Sequence, residues 1–583
     1  MTQAHWRFPL APPDQARELA SALGIRLPAA RVLAARGYTD PAAARRFLNP
    51  STQDLNDPFA MAGMREALTR LQQAIARQDK ILLYGDYDVD GTTSVAVLKK
   101  AIDLAGGIAE YHIPHRIRDG YGMRTEAIDD AIAAGIGLVI SVDTGIRAGA
   151  TVRYAAERGL DVIVTDHHVP DADIPPACAV VNPKQPGCTY PDKNLCGAGI
   201  AFKLVQALLG TLGWPEAKLA RMLESFLRPV AIATVADVVP LTGENRLFVK
   251  FGLEGLRNAK NPGLRALMSV AGIKPNEAPN AGQVAFRIAP RLNAAGRMDD
   301  ASEVVDLLLT ADADEARRIA EKLDRLNRER QGAEEEITRT ILAACLDTPV
   351  TESDYGLVFS GAGWHRGVVG IVASRLVERF HRPVVVLAED EAEGLAQGSG
   401  RSIAGFDLLS ALEAMPELFV RFGGHRQAAG LTLVSDRVPE FRARFNAYAA
   451  SHLTPADLEP QLDLDAPAEL EELDDQAVSE ILSLAPFGFG NPAPVFGLSG
   501  VELAAEPVVI KEKHLRLTVR QNGRTLTIKA WNFAERMAGI APGTRLDAAV
   551  AFEHDDYSAS RGYSPWCAVL RDFRVAEAAA ATA

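Results

Sequence analysis

The stretch Ile81-Leu-Leu-Tyr-Gly-Asp86-Tyr-Asp88-Val-Asp90-Gly91 runs from four apolar residues into three acids at alternate positions. Ile81 to Tyr84 has the length and continuity of a strand covered on both faces, and Gly85 and Gly91 bracket its exit from a sheet. From Thr92 the spacing turns helical, with Val95, Val97, Leu98, Ile102 and Leu104 apolar until Gly106-Gly107 stops it. The unit is strand, acidic loop, helix. Three carboxylates this close resist joint ionisation unless a multivalent cation or a basic partner offsets them. One Asp here would read as a helix N-cap, whereas three after a buried strand favour a metal site.

The alternation continues downstream. Ala109 to Pro114 is a short strand that leads into a basic loop containing His112, His115, Arg116, Arg118 and Tyr121. By itself that loop reads equally as a solvated connection. Leu138-Val-Ile-Ser-Val142 ends in Asp143-Thr-Gly145, and Asp161-Val-Ile-Val-Thr165 ends in Asp166-His167-His168. Helical spacing over 125–134 and 148–158 separates these strands. Such alternation predicts an α/β fold with a doubly wound parallel sheet, whose ligands bind beyond the C-terminal ends of the strands. The acids and histidines then meet in one crevice. Carboxylates with imidazole suit Mn²⁺ or Mg²⁺ better than a thiolate-rich zinc or iron site. Asp237, the single acid after the apolar run Val230-Ala-Ile-Ala-Thr-Val-Ala, would be costly if buried unpaired and is a further candidate ligand.

At 583 residues the chain exceeds one core, and usual domain sizes give about three or four domains. Its 48% hydrophobic and 23% charged residues are those of a globular protein. No stretch approaches a membrane span, and Met1-Thr-Gln-Ala-His-Trp-Arg-Phe-Pro lacks a secretory pattern, so the expectation is a cytoplasmic protein without membrane contact. Five cysteines form no Cys-x-x-Cys pair and read as reduced thiols. The net charge of −13 argues against polyanion binding over the whole surface and leaves room for a local basic groove.

Gly85-Asp86-Tyr-Asp88-Val-Asp90-Gly91, Ser141-Val-Asp143-Thr-Gly145, Thr165-Asp166-His167-His168 and Thr234-Val-Ala-Asp237 resemble the four motifs of the DHH phosphoesterase superfamily, most closely its RecJ-type single-strand DNA exonucleases. The resemblance implies two divalent cations, Mn²⁺ or Mg²⁺, on Asp88, Asp90, Asp143, His167 and Asp237, with Asp143 as the bridge. It makes Asp86 a close neighbour or further ligand and sets His168 near the scissile phosphate. Arg287-Ile-Ala-Pro-Arg291-Leu-Asn293-Ala-Ala-Gly296-Arg297 is similar to a RecJ segment beside the active site, where Arg287, Arg291 and Arg297 with Asn293 would meet phosphates. Gly398-Ser-Gly-Arg401-Ser402 and Phe422-Gly423-Gly424-His425 look like the glycine-rich turns of the accompanying DHHA1 domain, with Arg401 and His425 as substrate contacts. Arg297 and Arg401 would grip a 5′-terminal phosphate, and Arg116 and Tyr121 would line the strand's path.

Near the C-terminus, His514 to Arg520 alternates polar and apolar, Asn522-Gly523 makes a hairpin turn, and Thr525 to Trp531 returns. Lys511, Lys513, Arg516, Arg520 and Arg524 make this hairpin positive. The resemblance implies an OB-type barrel that takes single strands on residues such as Arg516 and Trp531. The domain reading is a helical N-terminal lead-in (1–50), a DHH catalytic domain (51–310), a long connecting helix (311–343), a DHHA1 domain (344–452), an OB-type domain (453–575) and a disordered tail (576–583).

The residues argue by themselves for a two-metal phosphodiesterase, with ions roughly 4 Å apart. The resemblance implies a 5′→3′ exonuclease that degrades single-stranded DNA to mononucleotides in DNA repair and recombination. It would work as a monomer, with a single-strand-binding protein and a repair helicase as candidate partners. A phosphodiesterase for short oligonucleotides or cyclic dinucleotides is the rival within the superfamily and needs neither barrel nor basic hairpin. A non-catalytic DNA-binding scaffold is the rival from another class, and the intact acid and histidine set speaks against it.

Overall fold

The computed structural model describes residues 4–9, 13–116, 118–120 and 122–576. They fall into two compact units, one of residues 54–458 with 488–490 and one of the remainder. The expected tail from residue 577 lies outside the described residues.

In the larger unit, β1 (Lys80–Tyr84), β2 (Ile108–His112), β3 (Ile136–Val142), β4 (Asp161–Thr165) and β5 (Ala179–Val181) form one sheet in the order β2-β1-β3-β4-β5. Every pairing in it is parallel. Period-two alternation sends Ile81, Leu83, Leu138, Ile140 and Ile163 into one core, where they meet Leu98 of α1 (Val89–Leu104). The intervening Tyr84, Val139, Val162 and Val164 enter a second core on the opposite face, with Ile128 and Val152. Both faces are covered, as a parallel sheet requires. The strand order reverses between β1 and β3, so the chain leaves these two strands in opposite directions and opens a crevice at their C-terminal ends. The sequence did not single out β5, because its three residues lie between Pro175-Pro176 and Pro183 and make too short an apolar run.

Helices α2 (Gly197–Gly210) and α3 (Glu216–Ala236) pack on α1. Further on come α4 (Ala289–Met298) and the 35-residue α5 (Ala313–Asp347), capped by Asp312, whose carboxylate accepts from Asp314 N at 2.7 Å. A second α/β body follows: β6 (Leu357–Ala362), α6 (Val369–Phe380), β7 (Val384–Asp390), β8 (Leu395–Arg401), β9 (Phe419–His425) and β10 (Ala428–Val434). Its sheet order is β9-β10-β8-β7-β6, with only β6 and β7 parallel. The two glycine-rich motifs expected as turns are strand residues of β8 and β9. Close packing explains Gly398, since a Cβ there would stand 2.1 Å from the Val386 carbonyl oxygen.

In the smaller unit, strands Val495–Leu503, Arg545–His554, Trp566–Val575, Arg524–Ala530 and His514–Gln521 pair in that order, and the first also pairs with the last, closing a barrel. Leu515, Leu517 and Val519 point inward, as their alternation predicts. Asn522 and Gly523 take φ of 49° and 78°, the left-handed pair of a two-residue hairpin. Helices over 13–23, 27–35 and 41–48 add Leu33 and Phe47 to the same core as Phe496 and Val550. No helix among the described residues is long and apolar enough to cross a membrane.

Candidate active site

The acids sit where β1, β3 and α3 end. After Tyr84 the chain turns through Gly85 to Asp88 into α1, and the turn closes because residue 91 has no side chain: a Cβ there would stand 2.5 Å from the Asp86 carbonyl oxygen. Asp88 caps α1, accepting from Asp90 N at 2.9 Å and Gly91 N at 3.0 Å. Asp90 accepts from Gly197 N at 2.6 Å and Ala198 N at 2.8 Å, in the first turn of α2. Asp143 leaves β3 with φ of 60°, and Val238, just after Asp237, takes φ of 57°. Left-handed backbone is costly for both residues, most of all for a β-branched one, and such strain concentrates at functional sites. His167 Nε2 lies 3.2 Å from Asp143 Oδ1, 3.7 Å from Asp237 Oδ2 and 3.9 Å from Asp90 Oδ2.

Three overlapping sets have ligand-capable atoms within 4.8 Å of one another: Asp86/Asp88/Asp143, Asp90/His167/Asp237 and Asp143/His167/His168. Asp143 joins the first to the third. Asp86 Oδ1, Asp143 Oδ1, Asp237 Oδ2 and both ring nitrogens of His167 are buried without a hydrogen-bond partner. Each such atom costs about 1–3 kcal/mol. Burial and the charge of Asp88 push Asp86 up to about 8 and Asp90 up to about 6; burial and neighbouring acids drive Asp143 and Asp237 well above the usual carboxylate range. Burial and His168 push His167 down to about 3, leaving a neutral imidazole with a free lone pair. Divalent cations would relieve all of these at once, so the donor set fits them.

Asp166 behaves differently. It accepts from His167 N at 2.7 Å, His168 N at 3.1 Å and Ile146 N at 2.9 Å, and its carboxylate lies 2.7 Å from His168 Nδ1. A carboxylate there fixes the proton on Nδ1 and orients the ring. Burial opposes a charged His168, but the bond and charge of Asp166 outweigh it and push its pKa up. The sequence reading took Asp166 only as part of a motif; the signal was a carboxylate immediately before two histidines, within reach of their backbone.

A cationic cluster faces the acids. The Arg116 guanidinium lies 4.8 Å from the Tyr87 ring centroid. Arg297 donates to the Gly367 carbonyl oxygen at 3.0 Å, and Arg401 donates to Ser399 Oγ at 2.7 Å and the Gly400 carbonyl oxygen at 2.8 Å. Burial, then Arg116 and Arg401, push Arg297 down to about 9, and burial followed by Arg116 lowers Arg401. None of the three pairs with a carboxylate among the described residues. Asp88 and Asp86 act on Arg297 and Arg116 from across the loop, but no carboxylate is in contact, and crowded guanidiniums of this kind make an anion site suited to phosphate.

Asn293 accepts from Val89 N at 3.3 Å, and a Cβ at Gly296 would stand 2.3 Å from the Tyr87 carbonyl oxygen, so α4 rests directly on the acidic loop. Arg287, on the π-helical turn Val284–Ile288, donates instead to the Gly272 carbonyl oxygen at 2.9 Å. His425 is exposed at the end of β9; burial lowers its pKa, and the charges of Arg147 and His168 lower it further. In the smaller unit Arg516 is exposed and Trp531 is 45% exposed, its ring centroid 5.0 Å from that of His514. Tyr121 lies outside the described residues.

Residues 80–234 match the DHH family, N-terminal domain, residues 353–451 the DHHA1 domain, and residues 464–563 the RecJ OB domain. The single-stranded-DNA-specific exonuclease RecJ of Bacillus subtilis (strain 168) is 40% identical over 546 residues, 94% of this chain and 68% of that protein. The chain belongs to the RecJ family. The RecJ exonuclease of Dickeya dadantii (strain 3937) is 39% identical over 493 residues, 82% of this chain and 84% of its own. The crystal structure of RecJ in complex with Mn²⁺ from Thermus thermophilus matches with a TM-score of 0.83 and 33% identity, covering 99% of this chain and 80% of that one.

The expected RecJ architecture is therefore present: parallel DHH sheet, DHHA1 body and OB barrel. One further residue escaped the sequence reading. Lys184 is half-buried near Asp237 and Asp166, its pKa lowered by burial against their pull. A lone lysine in Asn-Pro-Lys-Gln-Pro carries no pattern that would have flagged it.

Proposed function

We propose that this RecJ-family chain is a metal-dependent 5′→3′ exonuclease that hydrolyses single-stranded DNA to mononucleotides, serving DNA repair and recombination. The observation that carries the reading is the opposition of two unsatisfied charge clusters across the Tyr87 loop. One is acidic with open lone pairs; the other is cationic, feels the charge of Asp86 and Asp88 across the loop, and has no carboxylate in direct contact among the described residues. A 5′-terminal phosphate on Arg116, Arg297 and Arg401 leaves the next phosphodiester over the acids, so each cut releases one nucleotide. Asp88, Asp90, Asp143, His167 and Asp237 would hold the ions, with Asp86 beside them. When bound, Mn²⁺ or Mg²⁺ supplies an activated water and charge compensation for the departing oxygen. His168, held through Nδ1 by Asp166, offers its other nitrogen to the scissile phosphate, and Asn293 keeps α4 on the loop.

His425 faces the terminal nucleotide and Arg287 reinforces the base of the π-helical turn; Tyr121 is a further DNA contact of the same reading, and Arg516 and Trp531 take single-stranded DNA on the OB barrel's own surface. The domain boundaries given above, a cytoplasmic monomer, and recruitment by a single-strand-binding protein or repair helicase belong to the same reading. The match to the OB domain disfavours the small-substrate rival. The test uses single-stranded and blunt duplex DNA labelled at either end, with and without Mn²⁺, beside Asp143→Ala. Mn²⁺-dependent release of mononucleotides from the 5′ end of the single strand, abolished by the substitution, is expected. Cleavage restricted to very short oligomers would favour the rival, and binding without turnover would favour a scaffold.

A further inference from the structure

Phe286 lies on the π-helical turn Val284–Ile288 with 83% of its surface in solvent. One exposed aromatic is ordinary. Its position is less so. Asn293 follows it by seven residues and Arg297 by four more, the spacing of a single helix stripe. Asn293 is bonded to the acidic loop and Arg297 belongs to the arginine cluster, so Phe286 continues this stripe outward, about 16 Å along the helix from Arg297. Single π turns inside helices are frequent at functional sites.

A second observation adjoins it. Arg287 donates to the Gly272 carbonyl oxygen at 2.9 Å, and the chain from Ile273 onward lines a cavity of about 760 Å³. Its wall carries five basic side chains against two acids, although the chain as a whole has a net charge of −13. Lys260, Arg265 and Lys274 among them are exposed, with no carboxylate partner among the described residues. The wall itself holds no aromatic residue; Phe286 is the chain neighbour of Arg287, whose bond to Gly272 ties the π-helical turn to the edge of this cavity.

We propose that Phe286 stacks on an unpaired base a few nucleotides 3′ of the scissile bond, and that Lys260, Arg265 and Lys274 hold the phosphates that follow. An aromatic platform with a cationic track is how single strands are bound without sequence preference. It selects single strands because a base in a duplex is already stacked. This inference rests on the exonuclease reading above and extends it to the strand beyond the cut.

The test compares Phe286→Ala and Phe286→Trp with the unaltered chain on 5′-phosphorylated oligonucleotides of two to twenty nucleotides. For Phe286→Ala, kcat/KM on the longest should fall between roughly fivefold and 150-fold, the range for losing one stacked base. The loss should shrink as the substrate becomes too short to reach residue 286, and Phe286→Trp should restore it. Lys274→Ala should reduce the slope of log affinity against log salt by about 0.7. In an Asp143→Ala background, F286W should show oligo(dT) quenching beyond that of the five native tryptophans in the parent Asp143→Ala protein, and this difference reports on stacking at residue 286 even if the exonuclease reading itself fails. An equal Phe286→Ala loss on dinucleotide and twenty-mer would assign the residue to the scaffold and overturn the proposal. Unchanged DNA kinetics with weakened binding of a poly-glutamate peptide would give the surface to an acidic protein segment and overturn it too.

Discussion

Two buried charged clusters lie within the larger unit, and they are built on opposite principles. Around Lys203, every charge has its partner. Lys203 Nζ donates to Glu244 Oε1 at 2.7 Å and to the Asn56 carbonyl oxygen at 2.6 Å. Asn56 gives Glu244 two more bonds at 3.1 and 3.2 Å, and the Tyr190 hydroxyl another. Where β1, β3, β4 and α3 end, by contrast, Asp86, Asp143 and His167 are buried, Asp237 is partly buried, and all four leave buried polar atoms unpaired. A buried charge with its partners in place is architecture. One without them keeps its lone pairs for something the chain does not contain.

The contrast can be broken or sharpened by substitution. Asp143→Ala should reduce exonuclease activity roughly a thousandfold or more, since the acid common to two ligand sets is lost. The same change should stabilise the metal-free protein by about 1–3 kcal/mol, because it removes an uncompensated buried carboxylate. Activity assays beside denaturation in EDTA would show the two opposite signs, and a destabilised variant would refute the contrast. Glu244→Ala should do the reverse, costing about 3–5 kcal/mol by stranding Lys203 while the folded fraction keeps its turnover per molecule. Urea titration of the variant measures this. Asp166→Asn tests the paired residue inside the unpaired site. A 10- to 100-fold fall in kcat, with KM little changed, is expected from a disoriented His168.

A further effect is a slope with pH. Asp86 and Asp90 have folded pKa values raised to about 8 and about 6, so between the ordinary carboxylate range and those values the folded state binds more protons than the unfolded one. Metal-free stability should therefore fall as pH rises from about 4 to about 8. Saturating Mn²⁺ should flatten that slope, and thermal melts at stepped pH with and without the ion would reveal it.

Much of the metal site was legible because its chemistry is local: Asp86, Asp88 and Asp90 stand within five residues at the end of an apolar run. Asp143 and His167 end runs of the same kind, and a parallel sheet brings such ends together. The paired cluster was not legible. Lys203 and Glu244 lie 41 residues apart on different helices, and only packing joins them. Asp166 read only as part of a motif, and its role emerges from four short contacts that no pattern encodes. The glycine motifs around Gly398 and Gly423 read as turns because glycine most often marks them, yet here they lie in two strands on either side of Ala428–Val434 in one sheet, and a larger side chain would crowd the packing at Gly398.

Gly296 lies directly on the Tyr87 carbonyl oxygen, and the next residue in the chain is Arg297. On the exonuclease reading proposed above, the gap between the arginine that would hold the terminal phosphate and the acidic loop is set by this approach of backbone to backbone. On that reading a missing methyl group would set the step length. A larger residue at 296 would lift one jaw of the caliper and change the increment in which the strand is consumed.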